Sequence, residues 1–128
     1  MIGYVTLGTR DLSRARKFHD PLFELLGAKP MAWTSDQGVF YQASEGGPIV
    51  AIKYPFDGRP ATWGNGNMLA LNAPTRQLVD QAHALALSLG GMDEGAPGIR
   101  GGDPNGFYGA YFRDLDGNKI CVFRLGPP

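Results

Sequence analysis

Tyr108-Gly109-Ala110-Tyr111-Phe112-Arg113-Asp114-Leu115-Asp116-Gly117-Asn118-Lys119-Ile120-Cys121-Val122-Phe123 is the stretch that decides the fold. Two apolar, aromatic-rich runs flank Asp114–Asn118. Asp-Gly supplies the positive φ angles that a tight turn needs, so the pattern predicts two antiparallel strands joined by a hairpin. Cys121 falls on the outgoing strand, and its side chain there bears directly on whether a metal can be held.

Working outward, Gly95–Gly106 reads as a loop and Met92–Glu94 as a short strand. Gly90-Gly91 ends a helix over Thr75–Leu89, whose apolar stripe is Leu78, Val79, Ala82, Leu85, Ala86 and Leu89. Asn67–Asn72 is the strand before it. The first half of the chain has the same order. Ile2–Gly8 is a β-branched strand, with Tyr4, Thr6 and Gly8 on one face and Val5 and Leu7 on the other. Asp11 stands where an N-cap belongs, and Leu12, Ala15, Phe18, Leu22, Leu25 and Leu26 recur at helical spacing up to Gly27. Pro21, inside that pattern, should kink or split the helix near Asp20. Lys29–Thr34, Gly38–Ala43 and Ile49–Tyr54 read as three strands.

Pro55–Gly66 is turn-rich and aperiodic. Strand, helix, three strands therefore occurs twice. The expected fold is α+β: two tandem βαβββ modules whose curved mixed sheets enclose a cup-shaped cavity. The expected division is a module over 1–56, a linker over 57–66 and a module over 67–128. A cup between paired modules suits a small-molecule ligand.

Composition narrows the function classes. Twelve basic residues balance twelve acidic ones, so no broad attraction to nucleic acid or anionic lipid is expected. No basic groove or stacking stripe for nucleic acid is visible. A single cysteine cannot form an internal disulfide, which makes a reducing cytoplasm the default. Met1–Thr6 lacks the basic start and apolar run of a leader, and no stretch has the length of a membrane helix.

Several motifs carry a family resemblance: Val5-Thr6-Leu7, Arg10-Asp11-Leu12, Arg16-Lys17-Phe18 and Leu26-Gly27, then Gly90-Gly91, Gly95-Ala96-Pro97-Gly98, Tyr108-Gly109-Ala110-Tyr111, and Arg113-Asp114 leading into Asp116-Gly117-Asn118-Lys119-Ile120. In this order they resemble the vicinal-oxygen-chelate superfamily, which includes glyoxalase I, bleomycin-resistance proteins and extradiol dioxygenases. The resemblance spans nearly the whole chain. It implies four metal ligands, usually His and Glu, facing the cup. The matching positions here hold Tyr4, Ala51, Met68 and Cys121. His19 and His83 are the only histidines, and both fall inside the predicted helices. A thiol, a phenol and a thioether form a poor set for zinc, nickel or magnesium, so neither a metal nor another cofactor is expected. Glyoxalase I chemistry, as the resemblance implies it, needs a metal as Lewis acid and a carboxylate base. Extradiol cleavage needs iron or manganese.

Three residues are candidates for catalysis: Tyr4, Cys121 and Lys53. With no histidine placed to activate it, Cys121 reads more simply as an inert buried thiol. Tyr4 and Met68 should face each other across the module axis. Lys53 shares a face with Ala51 and either snorkels at the cup's lip or meets an anion. Arg100, in the loop expected to overhang the cup, suits a carboxylate or phosphate. Thr6, Trp33 and Tyr111 complete the expected ligand-binding set with Tyr4, Lys53, Met68, Arg100 and Cys121. Phe40, Tyr111, Phe112 and Phe123 are expected mostly in the core, His19 in helix packing and His83 in solvent. Asp114 and Asp116 read as turn residues. The favoured function is small-molecule binding in a metal-free cup, the ligand partly aromatic or anionic. The alternatives are a metal-dependent glyoxalase I-like lyase or dioxygenase with non-standard ligands, and a non-catalytic drug- or metabolite-sequestering protein. A homodimer is what the resemblance implies.

Overall fold

A computed structural model describes residues 1–128. In chain order the elements are β1 (Tyr4–Gly8), α1 (Leu12–Leu25), β2 (Lys29–Pro30), β3 (Gly38–Gln42), β4 (Ile49–Lys53), β5 (Leu69–Asn72), α2 (Arg76–Ser88), β6 (Met92–Arg100), β7 (Phe107–Arg113) and β8 (Lys119–Leu125). The two four-stranded sheets run β1-β4-β3-β2 and β5-β8-β7-β6. In each, the strand before the helix pairs parallel with the last strand of its module, and the other pairings are antiparallel. The duplicated α+β architecture expected from sequence is present.

The caps are local: Asp11 caps α1 as read, and Thr75, read as the first residue of the second helix, is its N-cap. Asp11 accepts from the Arg14 N–H at 3.0 Å and Thr75 from the Leu78 N–H at 3.2 Å, each satisfying a first-turn donor. Both are thus true N-caps.

α1 packs in two directions. Leu12, Ala15 and Phe23 meet Val39, Tyr41 and Ile52 of the first sheet. Phe18 and Leu22 instead join Val79, Ala82 and Ala86 of α2 and Ala110, Phe112, Ile120 and Val122 of the second sheet. Leu7 and Leu71 touch both clusters. The two helices are therefore in contact with one another, and the core is continuous from one module to the next.

This packing sets what the sheets leave open. Each buries the face that meets the helices. The helix-free faces do not cover one another within the chain: Tyr4 is 63% and Met68 48% exposed. The sheets curve as expected but do not close on a cavity.

Other expectations change. Helix α1 runs unbroken through Pro21, because the buried Phe18, His19, Leu22 and Phe23 hold it on both sides of the ring. The strand expected over Lys29–Thr34 shrinks to Lys29–Pro30 at a sheet edge, and a turn closed by Thr34 N–H to Met31 C=O at 3.0 Å follows. The first half of the stretch expected to be a loop, Gly95–Arg100, is strand. β6 runs to Arg100, with register shifts between Asp93 and Gly95 and between Gly95 and Gly98. Irregular pairing of this kind hides the period-two pattern. His83 is buried rather than solvated, because its ring bonds to Asp93 at 3.0 Å.

Candidate functional site

Period-two alternation places the candidate side chains on the helix-free faces. On the first sheet, Thr6, Ala51 and Phe40 lie in one register row, and Gly8, Lys53 and Gly38 in the next. Tyr4 precedes Thr6 on that face. Trp33 stands edge-on to Phe40, with ring centroids 5.9 Å apart. Lys53 makes no ion pair and borders an open depression of about 370 Å³ with Thr6, Gly8, Tyr54, Pro55 and Phe56. Phe56 is fully exposed at its edge.

On the second sheet, Ala70, Cys121 and Tyr111 form one row, and Lys119 pairs with Arg113 in the next. Arg100 lies on β6 rather than on an overhanging loop. Its guanidinium carbon sits 5.4 Å from the centre of the Tyr111 ring, and the Lys119 ammonium is 5.7 Å from the same centre. Phe107 and Phe123 stack at 5.1 Å on this face. Of the aromatics expected in the core, Phe112 is buried there, whereas Phe40, Tyr111 and Phe123 are half-buried on the helix-free faces.

Burial pushes the Cys121 thiol upward, and the Tyr111 hydroxyl, Arg100 and Lys119 oppose this only in part. The thiol therefore stays protonated near neutral pH and is a poor nucleophile. Burial likewise raises the Tyr111 phenol, helped by Cys121 and opposed by Arg100.

Within one chain the candidates fall into two groups. Tyr4, Thr6 and Lys53 lie on the first sheet, with Trp33 in the turn after β2; Arg100, Tyr111 and Cys121 lie on the second, with Met68 just before β5. Tyr4, on the edge strand β1, and Met68, the residue before the edge strand β5, are both exposed. Nowhere do three His, Cys, Asp or Glu side chains converge in metal-binding geometry. The donors at Tyr4, Ala51, Met68 and Cys121 do not fit a first-row divalent ion.

Sequence reading missed what the hairpin turn does. Asp114 and Asp116 lie in the turn as expected, yet both are buried. Asp116 accepts from the Thr9 hydroxyl at 2.6 Å, the Arg10 N–H at 2.9 Å and the Arg14 guanidinium at 3.1 Å. Asp114 accepts from the His19 ring at 2.9 Å, and Asn118 donates to the Gly8 carbonyl at 2.9 Å. The second module's turn is thereby bonded to the β1–α1 junction of the first. The available signal was two acids in one turn and two arginines at one strand-to-helix junction, but nothing in the sequence pairs them. Gly117 has φ +86°, and a Cβ there would fall 2.6 Å from Cδ1 of Trp63, so this position admits only glycine. Trp63 in turn lies over the Arg113 guanidinium at 5.0 Å.

No family model and no curated protein matches the chain. Solved structures do. A glyoxalase/bleomycin resistance protein from Albidiferax ferrireducens is 35% identical, with 97% of this chain and 98% of that one covered and a TM-score of 0.85. A glyoxalase-related enzyme from Fulvimarina pelagi is 22% identical over 97% of this chain and 87% of its own, with a TM-score of 0.74. A lactoylglutathione lyase from Agrobacterium tumefaciens is 23% identical over 97% of this chain and 92% of its own, with a TM-score of 0.67. The latter two likenesses are of fold alone.

Proposed function

Given that the chain belongs to the glyoxalase/bleomycin resistance protein family, we propose that it binds a small, partly aromatic or anionic molecule in a metal-free cup. The observation that carries this reading is the donor set: Tyr4, Ala51, Met68 and Cys121 stand where the family resemblance implies metal ligands, and no three ligating side chains converge elsewhere. A second copy of the chain completes the cup, since each chain leaves both helix-free faces exposed, with Tyr4 and Met68 among the uncovered side chains. A homodimer is the assembly that covers both faces at once. No helix is long and apolar enough to cross a membrane, and the lone, buried Cys121 suits a cytoplasmic setting.

If the site is catalytic, the exposed Tyr4 phenol and the unpaired Lys53 ammonium are the groups able to hold or move a proton on a ligand. Cys121, with its raised thiol pKa, serves as pocket wall.

Elemental analysis of protein purified without chelator tests the reading. Less than a tenth of an equivalent of nickel, zinc, iron or manganese per chain is the expected result. One equivalent bound in the cup would overturn it, as would chelator-sensitive turnover of the hemithioacetal of methylglyoxal and glutathione.

A further inference from the structure

The second sheet's open face concentrates positive charge that nothing in the chain neutralises. The Arg100 guanidinium carbon and the Lys119 ammonium lie 5.4 and 5.7 Å from the centre of the Tyr111 ring, and neither has a carboxylate partner. The neighbouring Arg113 differs, because Glu94 binds it at 2.5 Å. Arg100 is also held in place. Its guanidinium donates to the Ala96 carbonyl at 2.8 Å and to the Ile99 carbonyl at 3.4 Å. It lies close against a notch formed by Gly98 and Gly95, where a Cβ would come within 3.0 Å of Nη1 and 3.3 Å of Nη2. Two of the five guanidinium N–H groups are thus spent on positioning, and the rest are free. Lys119 makes no hydrogen bond in the chain, so its three donors are free as well. Both residues are half-buried, where a charge-assisted hydrogen bond is stronger than at a fully solvated site. Beside them lies the flat Phe107–Phe123 stack.

We propose that this face is an oxyanion grip: Arg100 and Lys119 take the carboxylate or phosphate of a ligand whose planar part lies on Phe107 and Phe123. The grip deepens the cup-binding reading and rests on it. Restraint by Ala96, Ile99 and the glycine notch lowers the entropy lost when a ligand docks, which is the advantage of a pre-positioned guanidinium. Nothing covalent is required.

The test titrates full-length, isotope-labelled protein with benzoate, phenyl phosphate and the neutral benzyl alcohol, following backbone amide shifts. At least one of the two anions is expected to shift the amides of Tyr111, Lys119 and Cys121, while benzyl alcohol shifts none of them. Whether benzoate or phenyl phosphate binds more tightly distinguishes a carboxylate from a phosphate ligand. Arg100→Gln and Lys119→Gln should each weaken that binding about tenfold, the scale of one charge-assisted hydrogen bond. Unaltered affinity in Arg100→Gln and Lys119→Gln, with shifts confined to Thr6 and Lys53, would overturn the grip and leave the cup. No shift by either anion on any open-face residue would overturn both.

Discussion

Asp114→Ala should destabilise the protein by about 3–5 kcal/mol, because it leaves several buried donors without an acceptor at about 1–3 kcal/mol each. The carboxylate accepts four hydrogen bonds, all at 2.9 Å: from the His19 ring, the Asp116 and Asn118 N–H groups, and the Asn118 side-chain amide. Alanine leaves four donors without an acceptor at a site that is 6% exposed, too closed for water to replace the carboxylate freely. His19 already has Nδ1 buried without a partner, so losing Asp114 leaves both ring nitrogens unbonded. Asp114→Asn keeps the volume and part of the acceptor set and should lose less. Urea denaturation with an unchanged m-value measures the effect. A loss below 1 kcal/mol would show that the turn does not hold the modules together.

The same residue gives a pH dependence. Burial alone would raise the Asp114 carboxyl, but the His19 and Asn118 bonds outweigh it and hold the group below its ordinary 3.8. A group with a depressed folded-state pKa binds more protons when unfolded. Its contribution is therefore complete above the ordinary carboxyl value and is lost as the pH falls through the lower, folded one. Stability should drop more steeply on acidification for the parent chain than for Asp114→Asn, measured as urea midpoints below pH 4. Parallel curves would contradict this.

Phe18→Ala has the second large expected effect, about 3–5 kcal/mol, because it opens a cavity at a fully packed site. Phe18 is 1% exposed and contacts a cluster formed mainly by the other module: Val79, Ala82, Ala86, Phe112 and Ile120. Its ring lies 6.2 Å from that of Phe112. At about 4 °C per kcal/mol for a chain of this size, the thermal midpoint should fall by about 12–20 °C in one cooperative transition. Two separate transitions would mean that the modules unfold independently, contrary to a continuous core.

How legible these features are depends on sequence distance. The hairpin around Gly117 and the cap at Asp11 are set by neighbours, and sequence reads them well. β6 is misread because its bulges break the alternation that marks a strand. His83 is misread because Asp93, ten residues on, folds back to meet it. The packing of α1 is harder still. Phe18 and Leu22 look like Leu12 and Ala15 in the apolar pattern, yet they serve a different cluster. Periodicity reports that a face is buried and not against what. The open cup follows from that same choice of partner. Of the candidate site, alternation assigns the correct sheet faces to Tyr4, Thr6, Lys53 and Cys121. The approach of Arg100 to Tyr111 depends on a bulged strand and two glycines, which no local pattern reveals.

The hairpin turn also has a consequence for the order of events in folding. The Thr9–Asp116 bond joins residues 107 apart, and Gly8–Asn118 joins residues 110 apart. Contacts of such separation require nearly the whole chain to be looped back before they return any stabilisation. The turn itself can form early, while its seat on the first module forms last. Interactions absent from the folding transition state act on unfolding. Thr9→Val, which removes one of these bonds without emptying the site, should therefore speed unfolding severalfold in a chevron experiment and leave the refolding arm nearly unmoved. The lifetime of the native state, more than the speed of reaching it, is what this turn governs.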